Sequence, residues 1–173
     1  MEGPTGVVQE NGWTLLMDPL FLDQVERVLA AVEQARAQGK ARDVSPDEKL
    51  LAAITYLVFD LIPRDPGRPE FRQGGTLGPK RKHWCRAKFG NGRFRLFFRF
   101  RTDARIIVYA WLNDTGTLRT YGSRTDAYAV FGRMLDRGAP PDDWESLLER
   151  ASSDDAVARA NALAHRLQKH PER

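Results

Sequence analysis

The chain contains one cysteine, Cys85, and three histidines, His83, His165 and His170, among its 173 residues. A single thiol excludes an intrachain disulfide and a cysteine-rich zinc site, and fits a reducing compartment. Two of the histidines lie near the C-terminus with no Cys, His or clustered carboxylates at ligand spacing. A metal nuclease is therefore disfavoured, and neither a metal nor another cofactor is expected. No apolar run reaches the roughly 18 residues of a membrane span, and Met1 to Glu10 lacks a basic segment followed by an apolar one. These absences predict a soluble, unexported, cytoplasmic protein with no membrane partner. A nucleophile elbow, a Walker loop and a dinucleotide fingerprint are also missing; Gly74-Gly75 lacks the Gly-Lys-Ser/Thr that cradles phosphates.

The composition, 42% apolar and 29% charged, is that of a globular protein. It predicts one domain over residues 1–150, with 151–173 as a helical or flexible tail, loosely attached in its last twenty residues. The net charge of +4 hides a segregation. Residues 64–137 hold 17 Lys/Arg against 6 Asp/Glu, whereas the segments on either side are net negative. Such asymmetry points to a core that binds polyanions, with a solvated basic surface as the plainer alternative.

Asn11 to Met17 reads as a short strand with Trp13, Leu15 and Met17 on one face, preceded by a frayed N-terminus. Asp18-Pro19 opens a helix whose Phe21, Val25, Val28, Val32 and Ala35 recur at helical spacing until Gly39. Ser45 and Glu48 form a capping box for a second helix, apolar along Leu50, Leu51, Ile54, Leu57, Val58 and Leu61 and ended by Pro63. A long cationic loop follows to Lys82, anchored by Phe71 and Leu77. Trp84 to Phe89, Arg93 to Arg101 and Arg105 to Leu112 are strand-like and joined by short turns, which predicts an antiparallel meander. Leu118 to Tyr121 reads as a brief strand, and Thr125 to Arg137, Pro140 to Arg150 and Asp154 to Lys169 as helices.

The middle strand is two-faced. Alternation puts Arg93, Arg95, Phe97, Arg99 and Arg101 on one side and Phe94, Leu96, Phe98 and Phe100 on the other. Four guanidiniums on one face repel each other if buried, so that face is expected to meet water or an anion. In the next strand Ile106, Val108, Ala110 and Leu112 suit the core, placing Arg105, Ile107, Tyr109 and Trp111 beside the arginines, although a slip of one residue inverts this register. Cations interleaved with rings suit single-stranded nucleic acid, phosphates taking the charge and bases stacking on the aromatics. Lys80, Arg81, Lys82, Arg93, Arg99, Arg101, Tyr109 and Trp111 are the candidate RNA-binding residues. The alternative is that Tyr109 and Trp111 fill a second small core under the C-terminal helices.

RNA can be cut without metal, because its 2′-hydroxyl attacks the adjacent phosphate once a base takes its proton, cations stabilise the phosphorane and an acid protonates the leaving 5′-oxygen. With so few histidines, these roles fall to Lys, Tyr and Arg. Arg86, Lys88, Arg95, Arg119, Tyr121 and Tyr128 are the candidates, against the plainer readings that Tyr128 is core and Arg119 an ion-pair partner of Asp114 or Asp126. His83 is either a solvated loop residue or a proton donor at the patch edge.

Asn11-Gly12-Trp13, Phe71-Arg72, Leu77-Gly78, Trp84 to Gly90, Gly92 to Arg99, Trp111-Leu112-Asn113-Asp114, Thr117 to Gly122, Thr125 to Tyr128 and Pro140 to Glu145 occur here in an order that resembles the YhaV family of type II toxins. The resemblance covers residues 11–148. It implies an α+β, RelE-like fold, with N-terminal helices packed on one face of a twisted antiparallel sheet and further helices at the C-terminus. It also implies an endoribonuclease that cleaves messenger RNA, including on the ribosome, inhibits growth, and is held by a PrlF-like swapped-hairpin antitoxin. By motif, Arg86 and Lys88 match the first basic strand of the superfamily, Arg95 the second, and Arg119 with Tyr128 the C-terminal positions, with Tyr121 as an addition. Other members of that superfamily act on gyrase, so a gyrase-directed toxin and a non-catalytic RNA- or DNA-binding regulator are the competing readings.

Overall fold

The computed structural model describes residues 7–39, 44–114 and 123–168. Its first element is a hairpin in which β1 (Val8–Glu10) pairs antiparallel with β2 (Trp13–Met17), Val8 opposite Leu15. Asn11 and Gly12 both have positive φ, 51° and 82°, as a two-residue turn matched to the right-handed twist of its strands requires. Val8 to Glu10 is thus ordered in the sheet rather than frayed. Asp18 caps α1 (Pro19–Ala37) by accepting from the Leu20 amide at 3.0 Å, and Pro19 occupies the first helical position. Phe21, Leu22, Val25, Leu29 and Val32 form its buried stripe. α2 (Pro46–Tyr56) starts with the expected capping box of Ser45 and Glu48.

Beyond Tyr56 the helix widens into a π turn over Leu57–Leu61 and closes with α3 (Ile62–Arg64). The Ile62 amide bonds to Leu57 O, five residues back, so the corresponding donor for Val58 O would come from Pro63, which has no N–H. The Tyr109 hydroxyl supplies it instead, donating to Val58 O at 2.7 Å. This corrects the expected place of Tyr109: it is fully buried on the helix side of the sheet, not displayed beside the arginines.

β3 (Cys85–Phe89), β4 (Phe94–Arg101) and β5 (Ile106–Leu112) form the antiparallel meander that their short turns predict. The whole sheet runs β1-β2-β5-β4-β3 and is mixed rather than antiparallel, because β2 pairs parallel with β5. The helices α1 to α3, a long loop and the strands β3 and β4 separate those two strands in sequence, and so long a connection leaves their relative direction free of any hairpin constraint.

A bulge overturns the alternation expected in β5. Phe98 faces Tyr109 and Phe97 faces Trp111, so Ala110 is the extra residue. Before it, Ile107 and Tyr109 point to the helix-side core and Val108 points to the arginine side, the reverse of the predicted register. After it, Leu112 returns to the helix side and Trp111 lies on the arginine side. Arg105, at φ 57°, leaves the strand and sits over Trp13, 4.5 Å from its ring centre.

α4 (Ala127–Asp136) and α5 (Trp144–Ala151) cover that second face, burying Leu16, Trp84, Phe97, Val108, Trp111, Phe131 and Leu147 in a second core. Phe131 stacks on Phe97 at 4.2 Å and on Trp111 at 5.5 Å. The arginine face is therefore not an open surface along its length, which corrects the expected exposure of Trp111 as well. α6 (Asp154–Gln168) buries Ala156, Ala160, Leu163, Ala164 and Leu167 in the helix-side core. It is stitched to α1 by Arg159 on Asp23 and Glu26 and by Arg166 on Glu33, so 154–168 is firmly docked where a loose attachment was expected. Among the described residues no helix is long and apolar enough to cross a membrane.

Candidate active site

Three of the residues expected to carry chemistry meet at one phenol, and a fourth lies beside them. Asp126 caps α4 and accepts from the Tyr128 amide at 3.0 Å, which fixes Tyr128 on the first helical turn. Its ring stands edge-on to Phe97, with centroids 5.5 Å apart. The Tyr128 hydroxyl oxygen accepts from Arg86 Nε at 2.8 Å and from Arg95 Nε at 3.0 Å. Lys88 lies directly across the β3–β4 ladder from Arg95 and is exposed.

Neither guanidinium has a carboxylate partner among the described residues. Arg86 gives its Nη1 hydrogen to Glu70 O at 2.6 Å, and Arg95 gives its own to Gly92 O at 2.6 Å and Phe94 O at 3.1 Å. Two cations joined through one oxygen stand within about 6 Å of each other, and at an effective dielectric near 20 they repel by roughly 3 kcal/mol. Arg95 is only 5% exposed, so water relieves little of this. An anion bound at the pair removes the penalty, and a phosphate matches the planar fork of a guanidinium.

Asn113 holds Arg95 in place. Fully buried at the end of β5, it accepts from the Arg95 amide through Oδ1 at 2.6 Å and donates through Nδ2 to Arg93 O at 3.1 Å. Its side chain thus continues the ladder past the last residue of β5 and sets the backbone from which Arg95 projects. The adjoining hairpin turn needs its glycine: Gly90 has φ 61°, and a Cβ there would come within 2.6 Å of the Phe94 ring.

The other expected RNA contacts are dispersed. Arg81 pairs with Asp136 at 2.8 Å and Asp142 at 3.2 Å, and the Asp136 bond, with the weaker one to Asp142, holds its pKa above the usual arginine value despite burial. Lys80 and Lys82 are exposed beside it, toward the Trp84 end of β3. Arg99 lies between the Trp84 and Trp144 rings, 5.5 Å from each centre, and donates to Asp142 O at 2.6 Å; burial lowers its pKa. Arg101 pairs with Asp103, and Arg93 is exposed at the hairpin. Tyr109 and Trp111 are core residues for the reasons given above. Arg119 and Tyr121, with the brief strand expected around them, lie outside the described residues.

Asp142 gathers Trp84 Nε1 at 2.8 Å, His83 Nε2 at 3.0 Å and Arg81 Nε at 3.2 Å. Burial pushes its carboxyl up, and these donors more than reverse that, leaving it below the ordinary 3.8. His83 is thereby engaged away from the phenol. Among the described residues no three His, Cys, Asp or Glu side chains gather as a metal site would need.

Sequence reading missed one feature beside the cluster. A groove of about 430 Å³ runs between the loop after α3 and β3, lined by Leu61, Arg68, Glu70, Arg72, Arg86 and Lys88. Arg68 and Arg72 were hidden in a loop rich in Pro and Gly, where no periodicity says which way a side chain points. The backbone bridge of Arg72 to Cys85 is what brings that loop against β3.

Comparison with known proteins gives the family. Residues 15–152 match the YhaV toxin family, described as a toxin with endonuclease activity, of toxin-antitoxin system. The chain is 44% identical over 141 residues to Toxin YhaV of Escherichia coli O6:H1, covering 80% of this chain and 92% of that one. It is 44% identical over 139 residues to the Ribonuclease toxin YhaV of Escherichia coli K12, covering 79% and 90%. No solved structure matches. With most of its length matched by the family, Arg86, Lys88, Arg95 and Tyr128 included, the chain belongs to the YhaV toxins, the endonuclease component of a toxin–antitoxin system.

Proposed function

We propose that this toxin is a metal-independent endoribonuclease that cuts messenger RNA at the Arg86–Tyr128–Arg95 cluster. The observation that carries this reading is the phenol oxygen shared by two guanidiniums that have no carboxylate partner among the described residues. The scissile phosphate takes the place of the missing anion, with Arg86 and Arg95 against its oxygens and Lys88 adding charge at the open side. The RNA 2′-hydroxyl attacks phosphorus and loses its proton to solvent. The P–O5′ bond breaks, and the leaving 5′-oxygen takes the Tyr128 proton, giving a 2′,3′-cyclic phosphate and a 5′-hydroxyl end. Both guanidiniums donate to the phenol oxygen, so the phenolate left behind is stabilised where it forms. This favours Tyr128 as acid over base. Arg119 and Tyr121 are carried as further candidates by the family resemblance alone.

The family's toxin–antitoxin description brings an antitoxin with it. We assign it to the PrlF-like swapped-hairpin type, place the reaction in the cytoplasm, on free or ribosome-bound transcripts, and read the chain as a RelE-like domain. Purified protein with a labelled RNA in excess chelator tests the chemistry. Fragments with cyclic phosphate ends are expected, and Arg86→Ala is expected to abolish cutting with an unchanged melting curve. Cutting that stops in chelator refutes metal independence; RNA that is bound but intact, with and without ribosomes, leaves a non-catalytic binder.

A further inference from the structure

The groove beside the cluster is lined by four cations, Arg68, Arg72, Arg86 and Lys88, that make no ion pair among the described residues. Glu70, the single acid lining it, makes no ion pair among the described residues either. A cationic groove that keeps one unengaged carboxylate is poorly suited to a bare chain of phosphates. It suits a ligand with both a phosphate and an amino group for the carboxylate to accept from, as a nucleobase has. Arg68 lies over the Phe71 ring, 5.4 Å from its centre, and a guanidinium plane is a surface on which a base can stack. Arg86 belongs to both places: it lines the groove, its Nε donates to the Tyr128 hydroxyl, and its Nη1 bond to Glu70 O ties the groove wall to the cluster.

We propose that this groove is a nucleotide subsite, holding the residue of a single-stranded RNA next to the scissile phosphate. Arg72 and Lys88 meet the backbone phosphate, Arg68 stacks on the base, and Glu70 accepts from the base amino group. The volume of about 430 Å³ admits one nucleotide, so a single flanking position is read. The proposal rests on the RNA-cleavage reading, and its test separates the two.

Binding is measured with 2′-O-methyl oligonucleotides, which lack the attacking hydroxyl and stay intact. Arg68→Ala/Arg72→Ala removes two exposed or half-exposed cations and is checked for folding by its melting curve. Each lost phosphate contact takes about 0.7 from the slope of log affinity against log salt, so the double variant, which removes the Arg72 contact, is expected to flatten that slope by roughly 0.7. Glu70→Gln is expected to narrow the affinity ratio between amino-bearing and amino-free homopolymers several-fold; simple charge removal would instead tighten all of them equally. An unchanged salt slope, or an unchanged homopolymer ratio in Glu70→Gln, in a wild-type protein that cuts ordinary RNA overturns the subsite and leaves the nuclease standing. A wild-type protein that neither binds nor cuts RNA overturns both.

Discussion

Tyr128→Phe separates a chemical role for the phenol from a structural one, because the two predict losses of very different size. Removing the hydroxyl takes the Nε acceptor from both Arg86 and Arg95. Arg86 is half-buried and recovers a water, but Arg95 is 5% exposed and is left with a buried, unsatisfied N–H. Such a group costs about 1–3 kcal/mol. Domains of this size have reserves of about 5–15 kcal/mol, so even the worst combination leaves roughly 2 kcal/mol and about 97% of the protein folded. Unfolding therefore removes only a few per cent of the activity. Loss of a proton donor in the transition state lowers the rate by about 10² to 10⁴. Urea denaturation gives the stability term, and single-turnover cleavage of a short RNA gives the chemical one. A variant that is destabilised as stated yet cuts within threefold of the wild type refutes the assignment, and reduces Tyr128 to a spacer between two arginines.

Asn113→Ala is expected to destabilise the fold by about 2–4 kcal/mol, because the Arg95 amide loses its partner at a buried site and the Arg93 carbonyl loses one at a part-buried site; a denaturation midpoint within error of wild type counts against the ladder role. Burial pushes the Cys85 thiol up to about 11, partly offset by Arg72, Arg99 and Arg86. At pH 8 it is therefore expected to react with a disulfide reagent only at the rate of unfolding, and a fast phase in native buffer contradicts its buried position. Asp142 is a carboxyl held below its ordinary 3.8, so the stability it contributes is fully present above that value and is lost as pH falls through its depressed one. Asp142→Asn is expected to be less stable than wild type at neutral pH and to converge with it in strong acid; parallel curves down to pH 2 refute the link.

The elements that local chemistry dictates were legible in the sequence. Asp18-Pro19 and the Ser45–Glu48 box announce their helices because a cap is a contact between residues two or three apart. The meander was legible because its turns are short, and the face shared by Arg86, Lys88 and Arg95 follows from the period of two in β3 and β4. Tyr128 was legible as a candidate through the family resemblance, but its hydrogen bonds to residues 33 and 42 positions away were not. What failed was decided at long range. The parallel β2–β5 pair and the docking of α6 depend on partners far along the chain, and alternating polarity in β5 gives no hint that Ala110 is an extra residue.

That extra residue bears on the site as well as on the register. A regular β5 would have kept Trp111 on the same side as Tyr109, away from α4. The bulge turns Trp111 over, and there it stacks on Phe131 and Phe97. Phe97 in turn meets the Tyr128 ring edge-on. The second core thus reaches from Trp111 through Phe97 to the phenol, filling the middle of the arginine face and leaving Arg86, Lys88 and the groove at its margin. A strand with four arginines and a ring on one side looked like part of a continuous nucleic-acid platform. The packed aromatics instead convert most of that face into a support that orients one tyrosine, with Arg86 and Arg95 donating to its hydroxyl.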